Sequence, residues 1–251
     1  MKDPEFLHTL AGWKPDLIVV SAFGRILPPA ILSLPPRGCI NVHGSLLPKY
    51  RGAGPIQWAI MNGEKETGIT TMLMDVGMDT GAMLLQEAIP IMPDDTAGTL
   101  APRLAELGGK LLVETITRLK AGTLVPRPQD TSQATLAPLL KKEDGEIDWT
   151  LPATALANRV RGLSPWPGAY TIVGSDSWRI WRALALPGPV TTPPGVIVAI
   201  TREAIHVATG DGVLAVMELQ PANNRRMAVS QYLAGHPIAV GLQLGRGPAL
   251  S

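Results

Sequence analysis

An asparagine, a histidine and an aspartate are spaced so that their side chains could meet. Asn41 and His43 close an apolar run typical of a strand, and residues two apart on a strand share one face. Asp79 follows a later apolar run, in the loop D-V-G-M-D-T-G that extends from Asp75 to Gly81. Because parallel strands deliver the loops that follow them to one edge of a sheet, we expect the three side chains to converge.

An amide, an imidazole and a carboxylate suit the transfer of an acyl group to an amine. A side-chain amide N–H directed at the oxygen that becomes negative is worth roughly 3 to 4 kcal/mol in such sites, and Asn41 carries this group. His43 could stabilise the same oxygen or take the proton of the amine, while Asp79 orients its ring. The amine attacks directly, so no protein nucleophile is needed. Ser45 lacks a G-x-S-x-G pattern, and Cys39 lies in an apolar run that predicts a buried thiol.

Each of the three residues also has a structural interpretation. Asn and Asp form turns, and most histidines lie at the surface or satisfy local hydrogen bonds. However, the loop S-L-L-P-K-Y-R-G-A that follows His43 contains a proline, a glycine and two basic residues, which is more backbone constraint than a connecting loop requires. We therefore interpret the set as functional. Asp75 closes a strand, whereas Asp79 lies on the turn between two glycines, so Asp79 is the predicted carboxylate.

The composition indicates a globular protein of one large or two modest domains. The 251 residues are 45% hydrophobic with a net charge of +1, so disorder is excluded and the total charge indicates no nucleic-acid partner, although a basic face remains compatible with it. The single cysteine excludes an internal disulfide, and His8, His206 and His236 have no partners at ligand spacing, so no metal is predicted. No apolar stretch approaches the roughly 20 residues that span a bilayer. We expect a soluble protein of a reducing compartment.

Alternating strand and helix patterns come first, and short strands follow. Apolar runs at 16–21, 38–42, 68–74 and 82–91 predict buried strands of a parallel sheet, with helices at 55–61 and 99–120. The Pro-rich segment 123–140 predicts a linker. Thr150 is predicted to cap a helix that ends near Leu163. Runs at 169–173, 178–184, 195–200, 204–208 and 212–220 predict the strands of a small β-barrel.

Motifs in both halves of the chain resemble those of one enzyme family. In the first half these are I-N-V-H-G-S-L-L-P-K-Y-R-G-A and M-D-V-G-M-D-T-G; in the second they are K-K-E-D-G-E-I-D-W, S-P-W-P-G-A, H-V-A-T-G-D-G-V-L and E-L-Q-P-A. They are similar to the folate-dependent formyltransferases, in particular the branch that acts on initiator methionyl-tRNA. The resemblance implies a partial doubly wound, Rossmann-like parallel-sheet α/β domain at 1–122, a linker at 123–140, and an OB-like tRNA-binding β-barrel at 141–251.

The resemblance also implies a reaction and the residues that carry it. The formyl group of 10-formyltetrahydrofolate would pass to the α-amine of methionine on initiator tRNA, a step of translation initiation in the bacterial cytoplasm. Asn41, His43 and Asp79 would be the catalytic residues. The residues implied to frame the folate are Phe23, Gly24, Arg25, Ile26, Leu27, Ser45, Leu46, Leu47, Pro48, Asp75, Val76 and Gly77.

Basic residues are the candidates for contacts with tRNA phosphates. For each of them an ordinary solvated surface position is the alternative, and Arg225 with Arg226 forms the best pair. The candidates are Arg51, Lys141, Lys142, Arg159, Arg161, Arg225 and Arg226. Four tryptophans could stack on bases, yet small β-domains usually bury this residue, so we expect these side chains in the core. They are Trp149, Trp166, Trp178 and Trp181.

The start of the chain differs from the family pattern. Family members begin with earlier strands and a basic loop that grips the tRNA acceptor end, so the resemblance predicts an N-terminally incomplete catalytic domain. We expect self-association through an apolar sheet edge near residues 16–21. Two alternatives stay open: an amino-sugar-nucleotide formyltransferase, and a non-catalytic fragment that retains RNA binding. The G-M-D-T-G and E-L-Q-P-A motifs argue against the sugar enzyme.

Overall fold

The computed structural model describes residues 3–245, which form two units. The first unit comprises the residues up to 59 together with 64–92 and 99–139, and the second comprises 60–63, 93–98 and the residues from 140 onward. The outer ends of the two expected domain ranges, 1–2 and 246–251, lie outside the described residues.

The first half of the chain contains four helices and four strands within the described part. They are α1 (Pro4–Gly12), β1 (Ile18–Ser21), α2 (Pro29–Leu32), β2 (Cys39–His43), α3 (Pro55–Met61), β3 (Glu66–Leu73), β4 (Met83–Pro90) and α4 (Ala97–Lys120). Helix α1 begins after Asp3, whose side chain accepts a hydrogen bond from the Glu5 N–H at 3.0 Å. The strand runs and the helix at 55–61 therefore lie close to their predicted positions.

The four strands form one mixed sheet in the order β1-β2-β3-β4. Strands β1 and β2 are parallel, but β3 runs antiparallel to β2, and β4 antiparallel to β3. The α/β class is confirmed, whereas the expectation of parallel directions for β3 and β4 is wrong. Residues 74–82 connect these two strands, and a parallel crossover needs about a dozen residues or more, so the strands pair as a hairpin.

Helix α4 supplies much of the apolar core of the first unit. Leu100, Leu104, Leu107 and Leu111 are buried, as the helical spacing of these leucines predicts. The helix continues through Pro102. A continuous helix therefore presents one apolar stripe over several turns.

A smaller cluster forms beneath α1 and α2. Leu27, Ile31 and Cys39 are buried there, and Leu7 and Leu10 of α1 pack against them. Burial raises the pKa of the Cys39 thiol. The prediction that this cysteine is a small buried apolar residue is confirmed.

Residues 123–139, here called the post-helix segment, are hydrogen-bonded along their length to the rest of the first unit. The backbone groups of Arg127 and Met83 pair in both directions at 2.8 Å. Further along, the Arg51 N–H donates to the Thr135 carbonyl at 2.9 Å, and the Ala137 N–H donates to the Arg51 carbonyl at 2.7 Å. The segment has the composition of a linker, but its backbone N–H and C=O groups form hydrogen bonds with neighbouring segments of the chain, as in a β-sheet.

The second unit contains an antiparallel sheet of six strands within the described residues. Its elements are α5 (Ala153–Gly162), β5 (Ala169–Val173), β6 (Asp176–Leu186), β7 (Ile197–Ile200), β8 (Ile205–Ala208), β9 (Val213–Pro221), β10 (Met227–Ala228) and α6 (Val229–Gly235). The order is β5-β6-β9-β8-β7, with β10 paired to β9. The predicted short strands are confirmed. Thr150 does not cap α5, because Pro152 directly precedes the helix and the Thr150 hydroxyl binds Asp148 at 2.6 Å.

The tryptophans of the second unit divide between core and surface. Trp149 and Trp178 are buried, and the indole N–H of Trp149 donates to the Thr171 hydroxyl at 3.0 Å. Trp181 is half-buried. Trp166 is 54% exposed, so the expectation of a core position is wrong for this residue. Trp166 lies between two prolines in the sequence and belongs to no periodic apolar pattern, so its exposure could not be predicted.

Candidate active site

Asn41 and His43 on strand β2 lie next to Asp79. The Asn41 side-chain nitrogen donates to Asp79 Oδ1 at 3.1 Å, and His43 Nδ1 lies 3.6 Å from Asp79 Oδ2. The Gly52 N–H donates to the same Oδ2 at 2.9 Å. The structure thus brings together the three side chains that the spacing singled out, with the carboxylate of Asp79 between the other two.

Asp79 reaches the other two residues by a route that differs from the expected one. Because β3 is antiparallel to β2, Leu73 at its end lies opposite Ile40 near the start of β2, and the loop 74–82 brings Asp79 to Asn41. Asp79 has a φ of +53°, a left-handed conformation that Asp adopts more readily than most residues. Gly81 is required in this loop, since a Cβ there would overlap the Leu73 carbonyl oxygen.

The His43 ring is fixed by a hydrogen bond at one of its two nitrogens. The side chain is 5% exposed, and its Nε2 lies 2.9 Å from the Tyr50 carbonyl oxygen. A carbonyl oxygen can only accept, so Nε2 carries a hydrogen and donates it to Tyr50. Nδ1 is therefore the ring nitrogen on the side of Asp79.

The loop between β2 and α3 is anchored by Thr70 of β3. The Thr70 hydroxyl donates to the Ser45 carbonyl at 2.7 Å and accepts from the Leu47 N–H at 3.1 Å. Gln86 donates to both the Thr70 hydroxyl and the Leu47 carbonyl at 2.9 Å. Thr70 and Ser45 are fully buried. These bonds fix the first part of the loop whose later residues contact His43 and Asp79.

A cavity of about 840 Å³ opens beside the three side chains, all of which line it. The expected folate residues that line it are Phe23, Gly24, Arg25, Ile26, Leu27, Asp75 and Gly77. Those that do not are Ser45, Leu46, Leu47, Pro48 and Val76. Sequence reasoning missed a further set on α4, although its helical spacing was a usable signal: Ala101, Leu104, Ala105, Gly108, Gly109 and Leu112.

Gln129 of the post-helix segment is a contact of the site that sequence reasoning also missed. Its side-chain nitrogen donates to the carbonyl oxygens of Asp79 and Gly81, both at 2.8 Å. Its oxygen accepts from Arg51 Nε at 3.0 Å and Nη2 at 2.8 Å. Arg51, a candidate for tRNA contact, is thus directed inward and is 6% exposed. A single glutamine in a Pro-rich segment has no spacing signal that could locate it.

Two of the other basic candidates donate to neighbouring carbonyl groups in the second unit. Arg159 Nη2 donates to the Asp144 carbonyl at 2.6 Å, and Arg161 Nη1 donates to the Asp95 carbonyl at 2.8 Å. Burial lowers the pKa of the Arg161 guanidinium, an effect that the charges of Asp95 and Asp94 oppose. Both side chains are half-buried, so part of their hydrogen-bonding capacity is used within the unit.

The remaining basic candidates are exposed, and one of them is paired. Arg226 donates to both carboxylate oxygens of Glu218, at 2.8 and 2.6 Å, and its guanidinium lies 4.8 Å from the centre of the Trp181 ring. The hydrogen bond to Glu218 raises the pKa of Arg226, although partial burial opposes the shift. The other exposed candidates are Lys141, Lys142 and Arg225.

Among residues 3–245, no group of three or more His, Cys, Asp and Glu side chains is placed to hold a metal ion. In the same part of the chain, no helix has both the length and the apolar character needed to cross a membrane.

Comparisons with known proteins agree across both halves of the chain. Residues 1–116 match the family described as formyl transferase, and residues 139–237 match the formyl transferase C-terminal domain. The methionyl-tRNA formyltransferase of Trichlorobacter lovleyi is 51% identical over 244 residues, which cover 97% of this chain and 77% of that protein. The protein of the same name from Caldanaerobacter subterraneus is 51% identical over 95% of this chain and 77% of its own length.

A solved structure shares the fold at low sequence identity. HypX from Aquifex aeolicus, in complex with tetrahydrofolic acid, has a TM-score of 0.66 and 21% identity, over 92% of this chain and 41% of that chain. At this identity the likeness concerns the fold alone. The sequence relatives carry the assignment further, because half of the residues are identical over nearly the whole chain and both domains match in the same order. The chain therefore belongs to the methionyl-tRNA formyltransferase family of folate-dependent, formyl-transferring enzymes.

Proposed function

We propose that this chain transfers a formyl group from 10-formyltetrahydrofolate to the α-amine of methionine on initiator tRNA. The main support is the meeting of Asn41, His43 and Asp79 at the wall of a cavity of about 840 Å³. The acceptor is inferred from relatives that carry methionyl-tRNA in their names at about half identity. We place the reaction in the bacterial cytoplasm, where initiator tRNA is used.

The roles of the three side chains follow from their hydrogen bonds. The Asn41 amide nitrogen has two hydrogens, and one of them is given to Asp79. We assign the second to the oxygen that becomes negative during acyl transfer. His43 Nδ1 would accept the proton that leaves the attacking amine, and Asp79, 3.6 Å away, would stabilise the charged ring.

The cavity has the size and surface that a folate requires. Its volume of about 840 Å³ lies within the roughly 300 to 1,000 Å³ usual for small-molecule sites. Phe23, Ile26 and Leu27 supply apolar surface for a flat ring system, and Asp75 supplies a carboxylate that can accept its N–H groups. When bound, 10-formyltetrahydrofolate supplies the formyl carbon. The solved neighbour crystallised with tetrahydrofolic acid agrees with this choice of co-substrate.

A sugar acceptor is the alternative within the same fold. WlaRD, a sugar 3N-formyl transferase solved with dTDP and 5-N-formyl-THF, has a TM-score of 0.65 over 86% of this chain and 77% of its own, but only 19% identity. That likeness does not select the acceptor. The half-identical relatives named for methionyl-tRNA favour tRNA.

We also propose that this chain self-associates along β1. Val19 of that strand is 40% exposed and Trp13 before it is 73% exposed, so apolar surface adjoins the strand. Sedimentation velocity over a range of protein concentrations tests this, and a monomer at every concentration would contradict it.

The deciding experiment is formyl transfer by the full chain, with 10-formyltetrahydrofolate as donor and methionyl initiator tRNA as acceptor. Asn41→Ala should lower kcat by about 10² to 10³, because one donor to the developing negative charge is lost. Gln133→Ala is the matched control, since Gln133 is an exposed amide whose bond to Asp130 is local. Formylation of an amino-sugar nucleotide instead would select the alternative acceptor. A folded protein that binds RNA but formylates neither acceptor would select the non-catalytic alternative.

A further inference from the structure

We propose that Gln129 and Arg51 are positioning residues that set the geometry of Asp79 for the reaction proposed above, on which this inference rests. Neither side chain lines the cavity. Both act through the backbone of the loop that carries Asp79. The proposal assigns a role in the reaction to a segment whose composition predicts only a linker.

Three consecutive residues and one glutamine form a closed set of contacts around the site. The Tyr50 carbonyl binds His43 Nε2 at 2.9 Å, and the Gly52 N–H binds Asp79 Oδ2 at 2.9 Å. Between them, the Arg51 side chain binds Gln129, whose amide nitrogen binds the Asp79 carbonyl at 2.8 Å. Asp79 is therefore held at its carboxylate by Gly52 and at its backbone carbonyl by Gln129, which Arg51 binds in turn.

Arg51 fixes which way the Gln129 amide faces. The guanidinium has only donors, so the amide oxygen must face it, at 3.0 Å from Nε and 2.8 Å from Nη2. The amide nitrogen then faces the carbonyl oxygens of Asp79 and Gly81. A reversed amide would place its oxygen against two carbonyl oxygens and its hydrogens against a buried cation. Arg51 is 6% exposed, so solvent screens this preference little.

The loop that carries Asp79 needs such support. Asp79 has a φ of +53°, and a Cβ at either Gly77 or Gly81 would collide with atoms of the loop or of β3. A left-handed backbone conformation at a residue other than glycine costs free energy, and it persists only where the surrounding structure imposes it. The two hydrogen bonds from Gln129 cross the turn at Asp79 and Gly81, so they oppose its relaxation.

Gln129→Glu separates positioning from stability. A glutamate can still accept both bonds from Arg51, so the buried cation keeps a partner, but it has no hydrogen to give to Asp79 or Gly81. We expect kcat to fall 10- to 100-fold while the KM for 10-formyltetrahydrofolate changes less than about threefold. Gln231→Glu makes the same chemical change on exposed helix α6, where the side chain accepts from the Ala228 N–H, and should retain wild-type kinetics.

A double-mutant cycle and hydrogen exchange decide whether Gln129 acts through Asp79. If it does, adding Gln129→Glu to the Asp79→Asn variant should lower kcat by less than about threefold further. If the two residues act independently, the fold-losses of the two single variants should multiply in the double variant. Exchange of the backbone amides at 79–82, beside the two carbonyl groups that Gln129 binds, should speed up in Gln129→Glu and not in Gln231→Glu. Unchanged exchange in that loop would overturn the inference, even if the wild-type chain fails to formylate tRNA. With an active wild type, an unchanged kcat or full additivity would overturn it while the proposed function stands.

Discussion

Replacement of Thr70 by valine should remove the anchor of the loop that carries the contacts to His43 and Asp79. Thr70 is fully buried, and its hydroxyl takes part in three hydrogen bonds, with the Ser45 carbonyl, the Leu47 N–H and the Gln86 amide. Valine has nearly the same shape, so no cavity opens and the effect isolates the hydroxyl. At about 1 kcal/mol for each bond, the free energy of unfolding should fall by about 3 kcal/mol.

Equilibrium urea denaturation measures this loss, with Thr117→Val as the matched control. The Thr117 hydroxyl is exposed on α4 and donates to the Val113 carbonyl one turn back, at 2.8 Å. Such a bond adds little to a helix, so the control should stay within about 0.5 kcal/mol of wild type. If Thr70→Val lost less than about 1 kcal/mol more than Thr117→Val, the loop would not depend on Thr70, and the reasoning from its hydrogen bonds would be wrong.

Other perturbations test further parts of the structure. Gly81→Ala should cost more than about 2 kcal/mol of stability and most of the activity, because its Cβ would collide with the Leu73 carbonyl oxygen. The control is Gly109→Ala, whose Cβ meets nothing within 4 Å and which should stabilise the helix by about 0.5 to 1 kcal/mol. Thermal unfolding compares the stability of the two variants. Cys39, whose pKa burial raises, should react with Ellman's reagent at least 100-fold more slowly in the native than in the unfolded protein at pH 8, and fast native labelling would contradict its burial. Arg225→Ala should weaken tRNA binding and lower the slope of log affinity against log salt by about 1, as filter binding measures; an unchanged slope would remove Arg225 from the interface.

The parts of the site that follow from local periodicity could be predicted from the sequence. Asn41 and His43 share a face because strand side chains alternate, and the leucines of α4 are buried because a helix turns every 3.6 residues. The direction of a strand is harder to predict from the sequence, since an apolar run has the same pattern in a parallel and in an antiparallel strand. The connection 74–82 was the signal that β3 and β4 form a hairpin, because it is shorter than a parallel crossover.

The contacts that sequence reasoning missed are long-range and lack a repeat. The Gln129 side chain donates to the Asp79 carbonyl, 50 positions away in the chain, and to the Gly81 carbonyl, and no spacing rule describes either bond. Charge is the only property that a lone arginine shows in a sequence, so the sequence makes Arg51 a candidate for phosphate contact and does not reveal its burial. Its burial depends on an acceptor supplied by the post-helix segment. The exposure of Trp166 is hidden from the sequence for a similar reason, since a tryptophan between prolines belongs to no strand or helix period.

The post-helix segment determines where homologous chains can be recombined. Its strand-like bonds to Met83 and Arg51, and the amide of Gln129, tie residues 123–139 to the first unit. A chimera joined at residue 122 would take Arg51 from one parent and its partner Gln129 from the other. The hydrogen bonds between the two side chains would then join residues from two different parent sequences. A junction placed after Leu139 inherits the site and its supporting segment from one parent, and this is the crossover point that preserves the chemistry.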